Sequence, residues 1–256
     1  MSALLELSDV SRSFGRVQAL RGVTTAIAAG EVRGLIGPNG AGKTTLVNVL
    51  SGFLAPTQGT MRFGGVRLER IPAHRRVRHG IARTFQTPQL CPAMSVVDNV
   101  VVGAHQRLAV ARVANLFSRE RRTSLSALRV EAAEVAEGVG LGRLLDVPAG
   151  ALSYGHMRLL EIARALVARP SLLLLDEPVA GMNESESAEV AEIVRALPEQ
   201  GTAVLVIEHD MPFVMGLCER ITVLDYGSVI AEGTPEEIQR DPRVEEVYLG
   251  TLGDAG

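Results

Sequence analysis

The stretch Gly37-Pro38-Asn39-Gly40-Ala41-Gly42-Lys43-Thr44 follows an apolar run that reads as a strand, residues 31–36, and opens an apolar run that reads as a helix. Glycine at 37, 40 and 42 lets successive backbone N–H groups curl toward one point at the helix N-terminus, where an anion is favoured. Lys43 brings a full positive charge to that point, and Thr44 a hydroxyl that can ligate Mg²⁺. This is the pattern of a phosphate-binding loop, with residues 37–42 as the cradle and Lys43 directed to the β- and γ-phosphates of a nucleotide. A chain that must run strand, loop and helix in this order is committed to an α/β core.

The rest of the chain agrees. Leu172-Leu173-Leu174-Leu175 ends in Asp176-Glu177-Pro178, and AVLVIEHD and ITVLDYG follow as further apolar strands separated by the amphipathic stretch ESESAEVAEIVRALPEQ. Apolar strands alternating with amphipathic helices predict a largely parallel sheet covered on both faces. The first third is different: residues 3–10 and 17–27 read as extended, and 59–68 as a hairpin around Gly64-Gly65. Residues 72–79 read as a short basic helix leading to the strand IARTF. Helical texture then dominates, over 95–108, 118–140 and the stretch after Gly155. Thr234-Pro235-Glu236-Glu237 carries a helix-capping pattern. The expected architecture is a P-loop α/β core with an antiparallel β subdomain, residues 1–86 and 169–256, interrupted by a helical subdomain at 87–168.

Composition excludes several functions. With 46% apolar residues among 256 the chain can bury a large core. Tryptophan is absent and the net charge is -3, so neither a stacking platform nor a basic footprint for nucleic acid is present. Cys91 and Cys218 match no metal or redox spacing and read as reduced thiols. The N-terminus lacks a basic start followed by an apolar run. No segment approaches the ~20 apolar residues needed to cross a bilayer. The expectation is a cytoplasmic protein that meets a membrane only through another subunit.

A strand as apolar as Leu172–Leu175 belongs at the centre of the sheet and delivers Asp176 and Glu177 to its carboxyl edge, beside the phosphate loop. There Asp176 can hold the metal shell and Glu177 can polarise a water for in-line attack on the γ-phosphate. Three other polar residues stand at strand ends or just beyond: Gln86 after IARTF, Asn183 after Gly181, and His209 after AVLVIE. Ser153 opens a helix in ALSYGHMRLLEIARAL as a plausible cap.

The order of these features along almost the whole chain resembles the ATP-binding cassette (ABC) ATPases. The resemblance implies ATP and Mg²⁺ as ligands. It implies that Phe14 stacks on adenine and that Thr45 joins the loop residues around the nucleotide. Gln86 would sense the metal and the attacking water, and His209 would contact the γ-phosphate. It also implies a second ATPase subunit packed head to tail, with Ser153 and Gly155 of one subunit facing the ATP held by the other, and with residues Gly181–Asn183 crossing between them. Two positions depart from the family pattern: His156 where Gln is usual, and Glu184 where Pro commonly follows the Asn.

Within that family, RTFQTPQLCPAMSVVDNVVVGA, LSYGHMRLLEIARAL, DEPVAGMNESE and VEEVYLG are similar to the ATP-binding subunits of branched-chain amino acid importers. Such a subunit drives a separate membrane permease from the inner face of the cell membrane and serves an external solute-binding protein indirectly. Leu90, Met94 and Val96–Val97 are the expected permease-docking surface, with core packing as the alternative account of the same side chains. Urea or amide importers, a lipopolysaccharide exporter and soluble ABC ATPases acting on nucleic acid share parts of the pattern. The soluble group commonly carries a coiled-coil insertion or a second cassette, and neither is present in this sequence.

Overall fold

The computed structural model describes residues 3–105 and 119–253, with side chains at 3–105 and 125–248. Two sheets organise it. β1 (Ala3–Phe14), β2 (Val17–Ala28), β4 (Gln58–Phe63) and β5 (Val66–Arg67) form an antiparallel sheet of order β2-β1-β4-β5. The second sheet has the order β10-β9-β3-β8-β7-β6, from β3 (Val32–Ile36), β6 (Ile81–Arg83), β7 (Leu172–Asp176), β8 (Ala203–Ile207), β9 (Arg220–Asp225) and β10 (Ser228–Gly233). Every pairing in it is parallel except β9 with β10, a closing hairpin. The predicted parallel sheet is therefore present, with an antiparallel edge that the sequence reading did not separate from its neighbour. β1 also runs four residues beyond the predicted end at 10, because its pairing with β2 continues to Phe14↔Val17.

The helices are α1 (Lys43–Ser51), α2 (Ala73–Arg76), α3 (Val96–Gly103), α4 (Arg119–Gly138), α5 (Tyr154–Leu166), α6 (Glu184–Ala196), α7 (Met211–Leu217), α8 (Pro235–Gln239) and α9 (Pro242–Gly253). Between β6 and β7 no strand occurs among the described residues, in keeping with the predicted helical stretch. Positions 106–108 of the helix read over 95–108, and position 118 of the next, lie outside the described residues. α8 begins with the capping box expected from its sequence, Thr234 and Glu237 each bonding the other's backbone N–H.

Alternation along β7 explains its composition. Leu172 and Leu174 point into a core shared with the antiparallel sheet and with Leu46, Val49 and Leu50 of α1. Leu173 and Leu175 point the other way, into a core shared with α3, α5 and α6. Side chains of period two on a sheet covered on both faces demand an unbroken apolar run. The same holds for Ala203–Ile207, all buried.

The two sheets are stitched by a buried charge. Arg33, on β3, donates to Glu31 at 2.6 Å and also pairs with Glu232 of β10. Glu232 in turn accepts from Thr25 of β2 at 2.5 Å and from Thr222 of β9 at 2.9 Å. Arg33 is thus paired and hydrogen-bonded as a buried ion must be. Burial pushes the Cys218 thiol up to about 12, which keeps it protonated and inert.

The expected docking surface requires correction. Val96 and Val97 are 0% and 3% exposed and belong to the core on the helical side of the sheet. Leu90 packs against that core as well, while Met94 is half-buried. An apolar pair on the first turn of a helix has the same sequence appearance whether it faces a partner or the chain's own interior, and here it faces the interior. Val97→Asp should accordingly lower stability by roughly 3 kcal/mol or more; a urea unfolding curve reads the shift directly.

Candidate active site

The site assembles at the carboxyl ends of the parallel strands, where ligands bind in open α/β sheets. β3 ends at Ile36 and the loop from Gly37 to Gly42 turns the chain into α1. Gly37, at φ 146, is required by crowding: a side chain there would collide with the Leu224 carbonyl of the adjacent strand β9. Gly42 is the N-cap of α1 at φ 103 and supplies no side-chain cap to the first turn. The N–H groups of that turn have no partner within the helix, the arrangement in which a helix N-terminus can receive an anion.

Lys43 folds back over this loop, donating to the Gly37 carbonyl at 2.5 Å and the Pro38 carbonyl at 2.9 Å. Burial pushes its pKa below the ordinary lysine value, and the Glu177 carboxylate opposes that shift. A half-buried ammonium resting on neutral carbonyls is arranged to gain from a nearby anion. Thr44 is exposed beside it and Thr45 half-buried. From the other end of the chain, Tyr248 on α9 hydrogen-bonds the Gly37 backbone, while burial pushes its phenol up.

β7 delivers its two carboxylates as expected, but into different surroundings. Asp176 is paired with Arg83 at 2.8 Å, both side chains being 8% exposed. Arg83 also donates to Asn48 at 2.7 Å and Ser51 at 3.0 Å on α1, and lies over the rings of Phe53 and Phe85. Glu177 leaves the strand at φ 49, a left-handed conformation that costs a non-glycine residue about 1–3 kcal/mol. That turn points its carboxylate at two of the predicted residues. Gln86 Nε2 donates to Glu177 Oε2 at 2.8 Å, and His209 Nδ1 stands 4.0 Å from Glu177 Oε1. Residues that follow two other strands thereby converge on the carboxylate that follows β7.

Glu208, which the sequence reading passed over, holds two of these loops in register. It is buried and accepts from the N–H groups of Val179 at 3.1 Å and His209 at 3.0 Å. The signal was present as an acid at the end of an all-apolar strand, the same pattern as in β7.

The other predicted residues lie outside this convergence. Phe14 is 46% exposed at the end of β1, with the Arg12 guanidinium 4.6 Å from its ring centre. Ser153 is the N-cap of α5, its Oγ accepting from the His156 N–H at 3.3 Å and lying 3.1 Å from His156 Nδ1. Gly155 packs on its own chain: a side chain there would collide with the Glu186 carboxylate. Glu186 in turn completes the capping box of Asn183 at the start of α6. A Cβ on Gly181 would stand 3.4 Å from the Tyr154 ring. The Ser153–Gly155 segment thus sits against the 181–186 loop.

A divalent cation fits this donor set. Among the described residues no cluster of three or more His, Cys, Asp or Glu exists to cage an ion. Mg²⁺ needs no such cage, since it is commonly held by one or two protein oxygens with phosphates and water completing its shell. Thr44 carries an exposed hydroxyl on the first turn of α1, and Asp176 and Gln86 carry oxygens of the same hard kind, the former held by Arg83 and the latter's amide nitrogen by Glu177.

The Arg83–Asp176 pair makes a specific prediction. Arg83→Met leaves Asp176 as an unpaired buried carboxylate, so stability should fall by about 3–5 kcal/mol. Adding Asp176→Asn to Arg83→Met should recover part of the loss in denaturant unfolding.

The sequence profile described as "ABC transporter" matches residues 20–180, and one described as "Branched-chain amino acid ATP-binding cassette transporter" matches residues 228–252. The chain is 40% identical over 250 residues to the high-affinity branched-chain amino acid transport ATP-binding protein BraF of Pseudomonas aeruginosa, covering 96% of this chain and 98% of that one. It is 41% identical over 250 residues to the protein of the same description, LivG, of Escherichia coli, at the same coverage. Among solved structures, an ATP-binding cassette of an ABC transporter in its ADP conformation superposes with a TM-score of 0.85 at 32% identity, covering 98% of this chain and 100% of that one. A dimeric ATP-binding cassette bound to ADP and Pi in a post-hydrolysis state matches with a TM-score of 0.72 at 25% identity, covering 90% of this chain and 98% of that one. By sequence and by structure, the chain belongs to the ABC transporter family as one of its ATP-binding cassettes.

Proposed function

We propose that the protein hydrolyses ATP, with Mg²⁺, as the energy-coupling subunit of an importer for branched-chain amino acids. The observation that carries the catalytic part is the placement of Glu177 between Gln86 and His209, at the strand end beside Lys43. The cargo is supported by relatives matched over nearly the full chain and by the profile at 228–252.

The loop N–H groups and Lys43 bind the phosphates, Lys43 exchanging the Gly37 and Pro38 carbonyls for phosphate oxygens. Thr44, Gln86 and Asp176 would hold Mg²⁺, which would supply neutralisation of the charge on the transferring phosphoryl group. Glu177 accepts the proton of the attacking water, and Gln86 orients both the carboxylate and that water. His209, exposed at the end of the next strand, reaches the γ-phosphate. Phe14 stacks on the adenine ring. Two subunits pack head to tail, so that Ser153 and Gly155 of each complete the site of the other at a helix N-terminus. The subunit is peripheral on the inner face of the membrane through its permease partners, and among the described residues no helix is long and apolar enough to cross a bilayer. The described helices between β6 and β7 belong to a helical subdomain, whose surface meets the permease.

Glu177→Gln keeps the shape of the side chain but cannot accept the proton. Turnover should fall by ~10²–10⁴ while ATP binding survives, and Mg-ATP should trap a dimer on size-exclusion chromatography. Normal hydrolysis by this variant would remove Glu177 as the base.

The cargo is tested separately. Disrupting this chain in its native cell should abolish high-affinity uptake of labelled leucine, isoleucine and valine, with restoration by wild type and not by Glu177→Gln. Unchanged uptake would overturn the cargo while leaving the ATPase reading intact.

A further inference from the structure

Two buried charges on α5 have no role in the chemistry above. Arg158 and Glu161 are each 3% exposed and lie 3.7 Å apart on one face of the helix. Both grip the same residue in the segment that leaves β6. Glu161 Oε1 accepts from the Phe85 N–H at 2.9 Å, and Arg158 donates to the Phe85 carbonyl at 3.0 Å. One residue further along, Gln86 reaches Glu177. Arg164, one turn beyond Glu161, donates to the Gln89 carbonyl. Three charged side chains of one helix thus hold the backbone on both sides of Gln86.

Placing ions in a core is costly unless they are paired and fully bonded. Arg158 Nε has no hydrogen-bond partner, and burial pushes the Glu161 pKa up. Apolar residues would fill the same space more favourably, and the remainder of the buried face of α5 is filled in that way, by Leu159, Leu160 and Ile162. What the charges do that apolar side chains cannot is seize both polar groups of the Phe85 residue with direction. In its first turn, next to Arg158, the same helix presents Ser153 outward and stands beside the 181–186 segment through Tyr154 and Gly155. The Arg158 guanidinium also stands 5.2 Å from the centre of the Tyr154 ring.

We propose that Arg158 and Glu161 are positioning residues that make the Gln86–Glu177 contact depend on where α5 stands. This inference rests on the proposed role of Gln86 and Glu177. A rigid helix that holds the Phe85 backbone through Arg158 and Glu161, and whose first turn lies at the surface proposed to meet a second subunit, moves Gln86 whenever that surface moves. Hydrolysis in one site is then sensitive to whether the helix start of the same chain is engaged by the partner's nucleotide.

The test removes the clamp without stranding a charge, using Arg158→Met with Glu161→Leu, in the full chain. The effect of Gln86→Ala on turnover is measured first; if it has none, the reading of the site fails before the clamp is at issue. Given a loss there, the double variant should bind ATP within about 2-fold of wild type by nucleotide titration. Its turnover should fall by about 10-fold, and its steady-state rate should lose any sigmoidal dependence on ATP concentration. In a Gln86→Ala background the same pair should cost less than about 2-fold more, because the clamp acts through Gln86. Glu161→Gln keeps a carbonyl oxygen for the Phe85 N–H and should retain most of the turnover. Wild-type turnover in the double variant, or losses that multiply in the Gln86→Ala background, would overturn the proposal. If the double variant does not fold, Arg158→Lys serves in the same comparison: it keeps the charge but cannot reproduce the guanidinium geometry, and its loss of turnover must likewise vanish in the Gln86→Ala background.

Discussion

Everything in the site hangs on a strand that cannot tolerate water on either face. β7 is four leucines followed by an acid, its alternate side chains committed to two different cores. That burial fixes the strand between β6 and β8, and so fixes where it ends. The first polar residue, Asp176, must meet a buried cation, which Arg83 provides. The second turns through a strained φ toward the loops of the neighbouring strands. The carboxylates are thus aimed by the packing of residues that never touch a nucleotide. This is the sense in which an apolar run beside a phosphate loop carries functional information.

The features most legible in the sequence were those whose physical cause is local. A glycine-rich turn before a helix, an apolar strand ending in acids and the Thr234 capping box each state their geometry within a few residues. The two-sheet architecture followed from periodicity, apart from the β9–β10 hairpin, where a turn at Tyr226-Gly227 divides one apolar stretch from the next. Illegible residues were those whose partners lie far away in sequence. Arg83 reads as a surface base until β7 is laid beside β6; Arg158 and Glu161 read as a solvated i, i+3 pair until the chain leaving β6 is laid across them. Val96 and Val97 failed for the converse reason, since hydrophobicity reports that a side chain is covered but not what covers it.

The site also shows how the glycine-rich loop accommodates the charge of its lysine. Lys43 is not left in an apolar pocket; it rests on two carbonyls of its own loop. Its lowered pKa reflects desolvation that an arriving phosphate would offset. The loop is held in place from outside itself, by the Leu224 backbone crowding Gly37 and by Tyr248 bonding it from helix α9. Such preorganisation removes part of the conformational cost of binding.

The order of the strands has a consequence for how the molecule comes into being. β3, which carries the phosphate loop, pairs on one side with β8 and on the other with β9: Val32 lies beside Val204, and Arg33 beside Arg220. The acid that completes the environment of Arg33 arrives later still, on β10. On the ribosome, then, the antiparallel sheet and the helices between β6 and β7 can take shape while β3 has no neighbour in the parallel sheet. The nucleotide site cannot close until nearly the whole chain has emerged. Folding of this kind is slow because its decisive contacts are distant in sequence. During that interval the exposed edges of β3 are its main hazard for misassociation, and a nascent chain would gain most from chaperone cover at that stage.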